Sequence, residues 1–104
     1  MNTPDKWIVL KLDDIYKVFA SWYGGYTSGD SWRMNSGITM VAEDGDYIDF
    51  HGYSGSIYRC HKKGYGLSGF SSSVLESLRE KVKQGGKEII VMEEDTDWLK
   101  LLEL

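Results

Sequence analysis

Trp7-Ile8-Val9-Leu10-Lys11-Leu12-Asp13-Asp14-Ile15-Tyr16-Lys17-Val18-Phe19-Ala20-Ser21-Trp22-Tyr23 is the stretch that sets the fold class. Its first run places Ile8, Leu10 and Leu12 on one face and Trp7, Val9 and Lys11 on the other. After Asp13-Asp14 the alternation resumes, with Tyr16, Val18, Ala20 and Trp22 on one face and Lys17, Phe19, Ser21 and Tyr23 on the other. Side chains alternate with period two only in an extended chain, so two such runs joined by a short acidic turn predict a β-hairpin.

The same pattern continues outward. Gly24 to Asp30 is turn chemistry, rich in glycine. Ser31 to Val41 reads as a third strand, with Trp32, Met34, Ser36, Ile38 and Met40 on one face. Arg33, Asn35, Thr39 and Val41 take the other, and Gly37 marks a bulge or a close backbone approach. Glu43-Asp44-Gly45-Asp46 is a hairpin turn. Tyr47 to Tyr53 is the fourth strand, Ser54-Gly55 turns the chain, and Ser56 to His61 is the fifth.

Beyond the glycine-rich Lys62 to Phe70 the period changes. Ser73 with Glu76 has the spacing of a capping box, Leu75, Leu78 and Val82 recur at helical intervals, and Gly85-Gly86 stops the helix. Lys87 to Glu93, with Ile89-Ile90-Val91-Met92, predicts a buried sixth strand. Asp95-Thr96-Asp97 then caps a short helical turn carrying Trp98, Leu99, Leu101 and Leu102 into the core. The expected fold is α+β, an antiparallel β-meander of five to six strands with one amphipathic helix on one face, as a single domain over residues 1–104.

A hydrophobic share of 41% and a charged share of 27% are those of a soluble globular protein. The net charge of −4 argues against duplex nucleic acid as a partner, because phosphate binding depends on clustered Lys and Arg. A small nucleotide needs only one or two cations and stays open. The single cysteine, Cys60, excludes an internal disulfide and a multi-cysteine zinc site. No signal peptide or bilayer-length apolar run is present, so a cytoplasmic, membrane-free protein is expected.

Motifs for chemistry are weak. Gly29-Asp30-Ser31 matches the start of Gly-Asp-Ser hydrolases, with His51 or His61 as a conceivable base, but the nucleophile elbow is absent. His51 and His61 lie on neighbouring strands near Asp49 and Cys60, a loose set for a metal. Gly64-x-Gly66-x-x-Gly69 has dinucleotide spacing without the βαβ unit that motif needs. Ser71-Ser72-Ser73 read as helix caps rather than an anion site, and Glu93-Glu94-Asp95 with Asp97 as a solvated turn. Neither a cofactor nor a metal is expected.

The aromatic content is the stronger signal: 13%, with seven Tyr and four Trp. Between Ser21 and Gly37 two Trp, two Tyr, four Gly and one Arg fall within seventeen residues. Aromatic faces stack on bases and Arg pairs bidentately with phosphate or carboxylate. The expected ligand site comprises Trp22, Tyr23, Tyr53 and Tyr58 as walls, with Arg33, Asn35, Ser54 and His61 fixing polar groups.

Trp22-Tyr23-Gly24-Gly25-Tyr26, Asp30-Ser31-Trp32-Arg33-Met34-Asn35-Ser36-Gly37-Ile38 and Gly52-Tyr53-Ser54-Gly55-Ser56-Ile57-Tyr58-Arg59-Cys60-His61 resemble patterns in small uncharacterised accessory proteins of tailed bacteriophages, as does Glu94-Asp95-Thr96-Asp97-Trp98. The resemblance carries no catalytic residue. It implies a host-cytoplasmic accessory protein, and by analogy an anti-defence sponge that sequesters a nucleotide-like molecule. The sequence thus leads to a non-enzymatic, homo-oligomeric small-molecule binder. A protein-binding inhibitor of a host enzyme is the alternative, and a small hydrolase stands last.

Overall fold

A computed structural model describes residues 1–26 and 29–104; Thr27 and Ser28, in the expected Gly24–Asp30 loop, lie outside the described residues. The described residues form α+β structure, with seven strands in two antiparallel sheets and one α-helix. Among them no helix is long and apolar enough to cross a membrane.

Strands β1 (Lys6–Leu12) and β2 (Ile15–Trp22) make the expected hairpin, paired from Lys6↔Ser21 to Leu12↔Ile15. Asp13 and Asp14 take φ of 53° and 63°, the double left-handed turn that matches the twist of a two-residue hairpin. β3 (Ser31–Met34) extends this sheet beyond β2, and β7 (Ile90–Val91) extends it beyond β1, giving the order β3-β2-β1-β7. The second sheet is the meander β4 (Ile38–Asp44), β5 (Tyr47–Gly52) and β6 (Ile57–His61).

The expected third strand from Ser31 to Val41 is therefore two strands in two sheets. Alternation runs unbroken through Asn35-Ser36-Gly37, so period two cannot reveal the change of sheet. Gly37 makes the crossing possible. Its φ is +143°, and a Cβ there would lie 2.7 Å from the Tyr53 ring and 2.9 Å from Ile15 Cγ2. The close approach foreseen at this glycine is present.

Helix α1 (Gly69–Gln84) starts earlier than Ser73. Ser68 is the N-cap: its hydroxyl accepts from the Ser71 amide and the Ser71 hydroxyl accepts from the Ser68 amide. A serine thus fills the role that the capping box gives to Glu or Gln. The helix ends at Gly85, with Gly86 at φ 78°, as the Gly-Gly pair predicts.

The strand β1 is buried on both faces. Ile8 and Leu10, with Phe19 and Ile89, pack under Leu75 of the helix. Trp7 and Val9, with Tyr16, Val18 and Ala20, face Ile48, Phe50, Tyr58 and Cys60 of the second sheet. The order of layers is helix, four-stranded sheet, three-stranded sheet. The sixth strand is shorter than expected, with Ile89 buried and Ile90 exposed. The C-terminal turn, a 3-10 helix at Trp98–Glu103, sends Trp98 and Leu101 inward but leaves Leu99 and Leu102 largely exposed.

Two outcomes follow. Gly37→Ala is expected to lower stability by about 2–4 kcal/mol, since it adds a clash to a left-handed φ, and urea denaturation checks it. Tyr65 supplies the second: its hydroxyl donates to the Met92 carbonyl and accepts from the Val9 amide at 3.3 Å. Burial pushes its pKa up to about 12 from the ordinary 10. The native state holds the proton after the unfolded chain releases it, so this contribution is full below pH 10 and is lost as pH rises towards 12. Wild-type stability should fall across that window, and fall less steeply in Tyr65→Phe.

Candidate functional site

The pairing of β2 with β3 sets Trp22 opposite Ser31 and Ala20 opposite Arg33. Cross-strand neighbours share a face, so Arg33 belongs to the face of Val18, Ala20 and Trp22, which looks towards the second sheet. The N-terminal strap Met1–Asp5 runs along that side. Asn2 N–H donates to the Ile57 carbonyl at 2.8 Å, and Arg59 N–H donates to the Asn2 carbonyl at 2.7 Å, tying the strap beside β6. The Trp22 indole N–H donates to the Thr3 carbonyl at 3.0 Å, Pro4 is buried, and Asp5 N–H donates to the Ser21 carbonyl at 3.0 Å. The strap therefore links the two sheets.

Between the strap and β3 lies an open groove of about 320 Å³, lined by Met1, Asn2, Thr3, Trp22, Ser31, Trp32 and Arg33. This is near the small end of ligand-sized cavities, about 300–1,000 Å³. None of these seven is a carboxylate. Trp32 is 40% exposed and stacks on Phe19 with ring centroids 5.6 Å apart. The Arg33 guanidinium donates one long hydrogen bond, Nη1 to Asn2 Oδ1 at 3.4 Å.

The three arginines differ in their pairing. Arg59 is held by Asp44 and by Asp49 at 3.5 Å, lies 4.8 Å from the Tyr47 ring centroid, and has its pKa raised first by the Asp44 bond. Arg79 pairs with Glu76 at 3.8 Å and donates to the Ile89 carbonyl at 2.8 Å. Among the described residues, Arg33 alone of the three has no carboxylate partner.

The expected site residues separate into groups. Trp22 and Arg33 line the groove. Tyr58 is 2% exposed in the core on the same side. Burial raises its phenol pKa, against a smaller opposing influence of the Arg33 charge, and Tyr58 does not line the groove. Tyr23 is exposed just past β2, where its amide donates to the Asp5 carboxylate at 2.8 Å. Asn35 is 4% exposed and structural: its Oδ1 accepts from the Val18 amide at 2.9 Å, and its backbone N–H donates to the Val18 carbonyl at 3.1 Å.

Tyr53 covers Gly37, and the Ser54 amide donates to Ser36 Oγ at 3.0 Å; both belong to the sheet crossing. His61 caps the 3-10 turn Lys62–Gly64 through Nδ1, 3.1 Å from the Lys63 amide, and packs edge-on to Tyr47. These three do not line the groove.

His51 pairs with Ile57 while His61 pairs with Tyr47, so the histidines sit at opposite ends of the β5–β6 ladder. Four residues of strand separate them by about 13 Å, too far to share one metal. Among the described residues no group of three His, Cys, Asp or Glu is placed to hold a metal ion. Burial holds the Cys60 thiol well above its ordinary pKa, which keeps it protonated and unreactive.

Sequence reasoning missed the strap, and with it Met1, Asn2 and Thr3. It has no alternating run of its own, and only its pairing to β6 reveals it. Two other grooves carry acid instead. One of about 440 Å³ beside the helix is lined by Glu76, Glu80 and Glu88 among its basic residues. The other, about 270 Å³, is lined by Glu43, Glu94, Asp95 and Asp97 with Lys62.

No protein-family model matches this chain, and no curated protein and no solved structure matches it. The geometry carries the functional argument.

Asn35→Ala is expected to cost about 1–3 kcal/mol, because it leaves the buried Val18 amide without an acceptor. Thermal unfolding measures that loss.

Proposed function

We propose that this protein binds, without chemical turnover, a small anionic molecule bearing a flat ring system, such as a nucleotide, in the groove between β3 and the N-terminal strap. One observation carries the reading: Arg33 has no carboxylate partner among the described residues and shares a carboxylate-free groove with Trp22 on the same face of the sheet, while Trp32 reaches its rim from the other face, where it stacks on Phe19. In a chain of net charge −4 a cation left in this way favours an anion, and the Trp22 indole beside it favours a planar group. The lining side chains offer hydrogen-bond donors and apolar area but no carboxylate, imidazole or thiol to move a proton, which supports recognition over catalysis. The groove is open on one side, so a second copy that closes it fits a homo-oligomeric binder. In the setting that the phage resemblance implies, such a protein acts by sequestering its ligand.

A second reading, docking on a host protein, draws on the exposure of Tyr23 (57%), Tyr26 and Trp32 around the same β2–β3 end of the sheet. Calorimetry separates the two. Titration with adenosine monophosphate, ADP-ribose and cyclic dinucleotides is expected to give saturable heat with at least one. Arg33→Ala should weaken it by about 10- to 100-fold, the loss of a charge-assisted bond, with the melting temperature nearly unchanged because Arg33 is exposed. Silence with every ligand, together with stable capture of one host protein, would favour the docking surface instead.

A further inference from the structure

We infer that Arg33 is the oxyanion subsite of the groove and that Asn2 is its built-in stand-in, the Asn2 side-chain oxygen occupying the place of a ligand's phosphate oxygen. The inference rests on the binding reading above and assigns which part of the ligand goes where.

Asn2 is held mainly by its backbone. Its backbone is fixed by two good hydrogen bonds to β6, at 2.8 and 2.7 Å. Its side chain makes only long ones: Nδ2 to the Ile57 carbonyl at 3.4 Å, and Oδ1 from Arg33 Nη1 at 3.4 Å. The residue is therefore anchored by its main chain, and its amide can turn aside at small cost. What it covers is a guanidinium with no carboxylate partner among the described residues. A neutral amide oxygen at that distance satisfies one of five N–H donors poorly, whereas a phosphate oxygen pair would engage the fork at shorter range.

Trp22 lines the groove from the same face of the sheet as Arg33, so its indole takes the ring end of the ligand while the guanidinium takes the oxyanion end.

Charge on residue 2 should therefore set affinity in opposite directions. Asn2→Asp places a carboxylate against Arg33 and blocks the subsite; Asn2→Ala removes the stand-in and frees it. Both keep the backbone bonds that hold the strap, which the amide spectrum verifies. The test is an NMR titration of the Arg33 guanidinium resonance with inorganic pyrophosphate, run beside adenosine monophosphate.

The expected result is a saturable shift in the wild type, weakened about fivefold by Asn2→Asp and strengthened about twofold by Asn2→Ala. No saturable shift in the wild type, or both variants moving affinity the same way, would overturn the inference. If pyrophosphate behaves as expected but adenosine monophosphate binds no tighter, the planar-ligand reading falls and the anion subsite stands. If only the nucleotide binds and residue 2 has no effect, the subsite falls and that reading stands.

Discussion

The indole of Trp7 meets the rings of Tyr65 at 4.8 Å, Phe50 at 5.4 Å and Trp98 at 5.5 Å, and its N–H donates to the His61 carbonyl at 2.8 Å. Its backbone carbonyl accepts from the Gly66 amide at 2.8 Å. One side chain on the central strand thus touches the second sheet, the loop after β6 and the C-terminal 3-10 helix. Aromatic pairs such as these, one edge-on and two tilted, add about 0.5–1.5 kcal/mol each beyond the burial of area, so this cluster is a large part of a marginal total. The position of the second sheet depends on it.

That placement creates the candidate site as a by-product. With the three-stranded sheet pressed on one face of β1 and β2, the strap before β1 passes β6, where Asn2 pairs beside Tyr58, before it enters the first sheet. The gap left between strap and β3 is the groove. Arg33 points into that side because of strand register alone: it stands opposite Ala20, and a slip of one residue would send it to the helix face. The candidate site and the fold are coupled here through register and through Trp22, which bonds the strap and lines the groove at once.

Much of the fold was legible in the sequence because its signals are local. The Asp13-Asp14 hairpin, the turns at Gly45 and Gly55 and the Gly85-Gly86 stop each rest on a few adjacent residues, and each glycine or aspartate named takes the backbone conformation it favours, apart from Gly85 as the C-cap. The division into two sheets was not legible, since the alternation of Ser31 to Val41 is the same whether or not the strand changes partners at Gly37. The helix start was misplaced because several serines compete as caps, and the Ser68–Ser71 pair wins through hydroxyls on both sides. Among site residues, Trp22 and Arg33 were readable because they flank one glycine-rich loop on two alternating strands, and both line the groove. Asn35 and Tyr58 look alike in sequence to surface polar and aromatic residues, yet long-range packing buries them. Asn2 carries no sequence signal, as its role comes from a partner 55 residues away.

The central claim is that an arginine with no carboxylate partner among the described residues, beside the Trp22 indole, selects a planar anion. Native mass spectrometry of the protein after incubation with a small-molecule extract of cells tests it most directly, because it weighs the retained ligand and the assembly together. The account predicts one retained phosphate-bearing aromatic compound in the wild type and none in Arg33→Ala. A ligand retained equally by that variant, or a wild-type protein that leaves the extract with its bare mass, would contradict it.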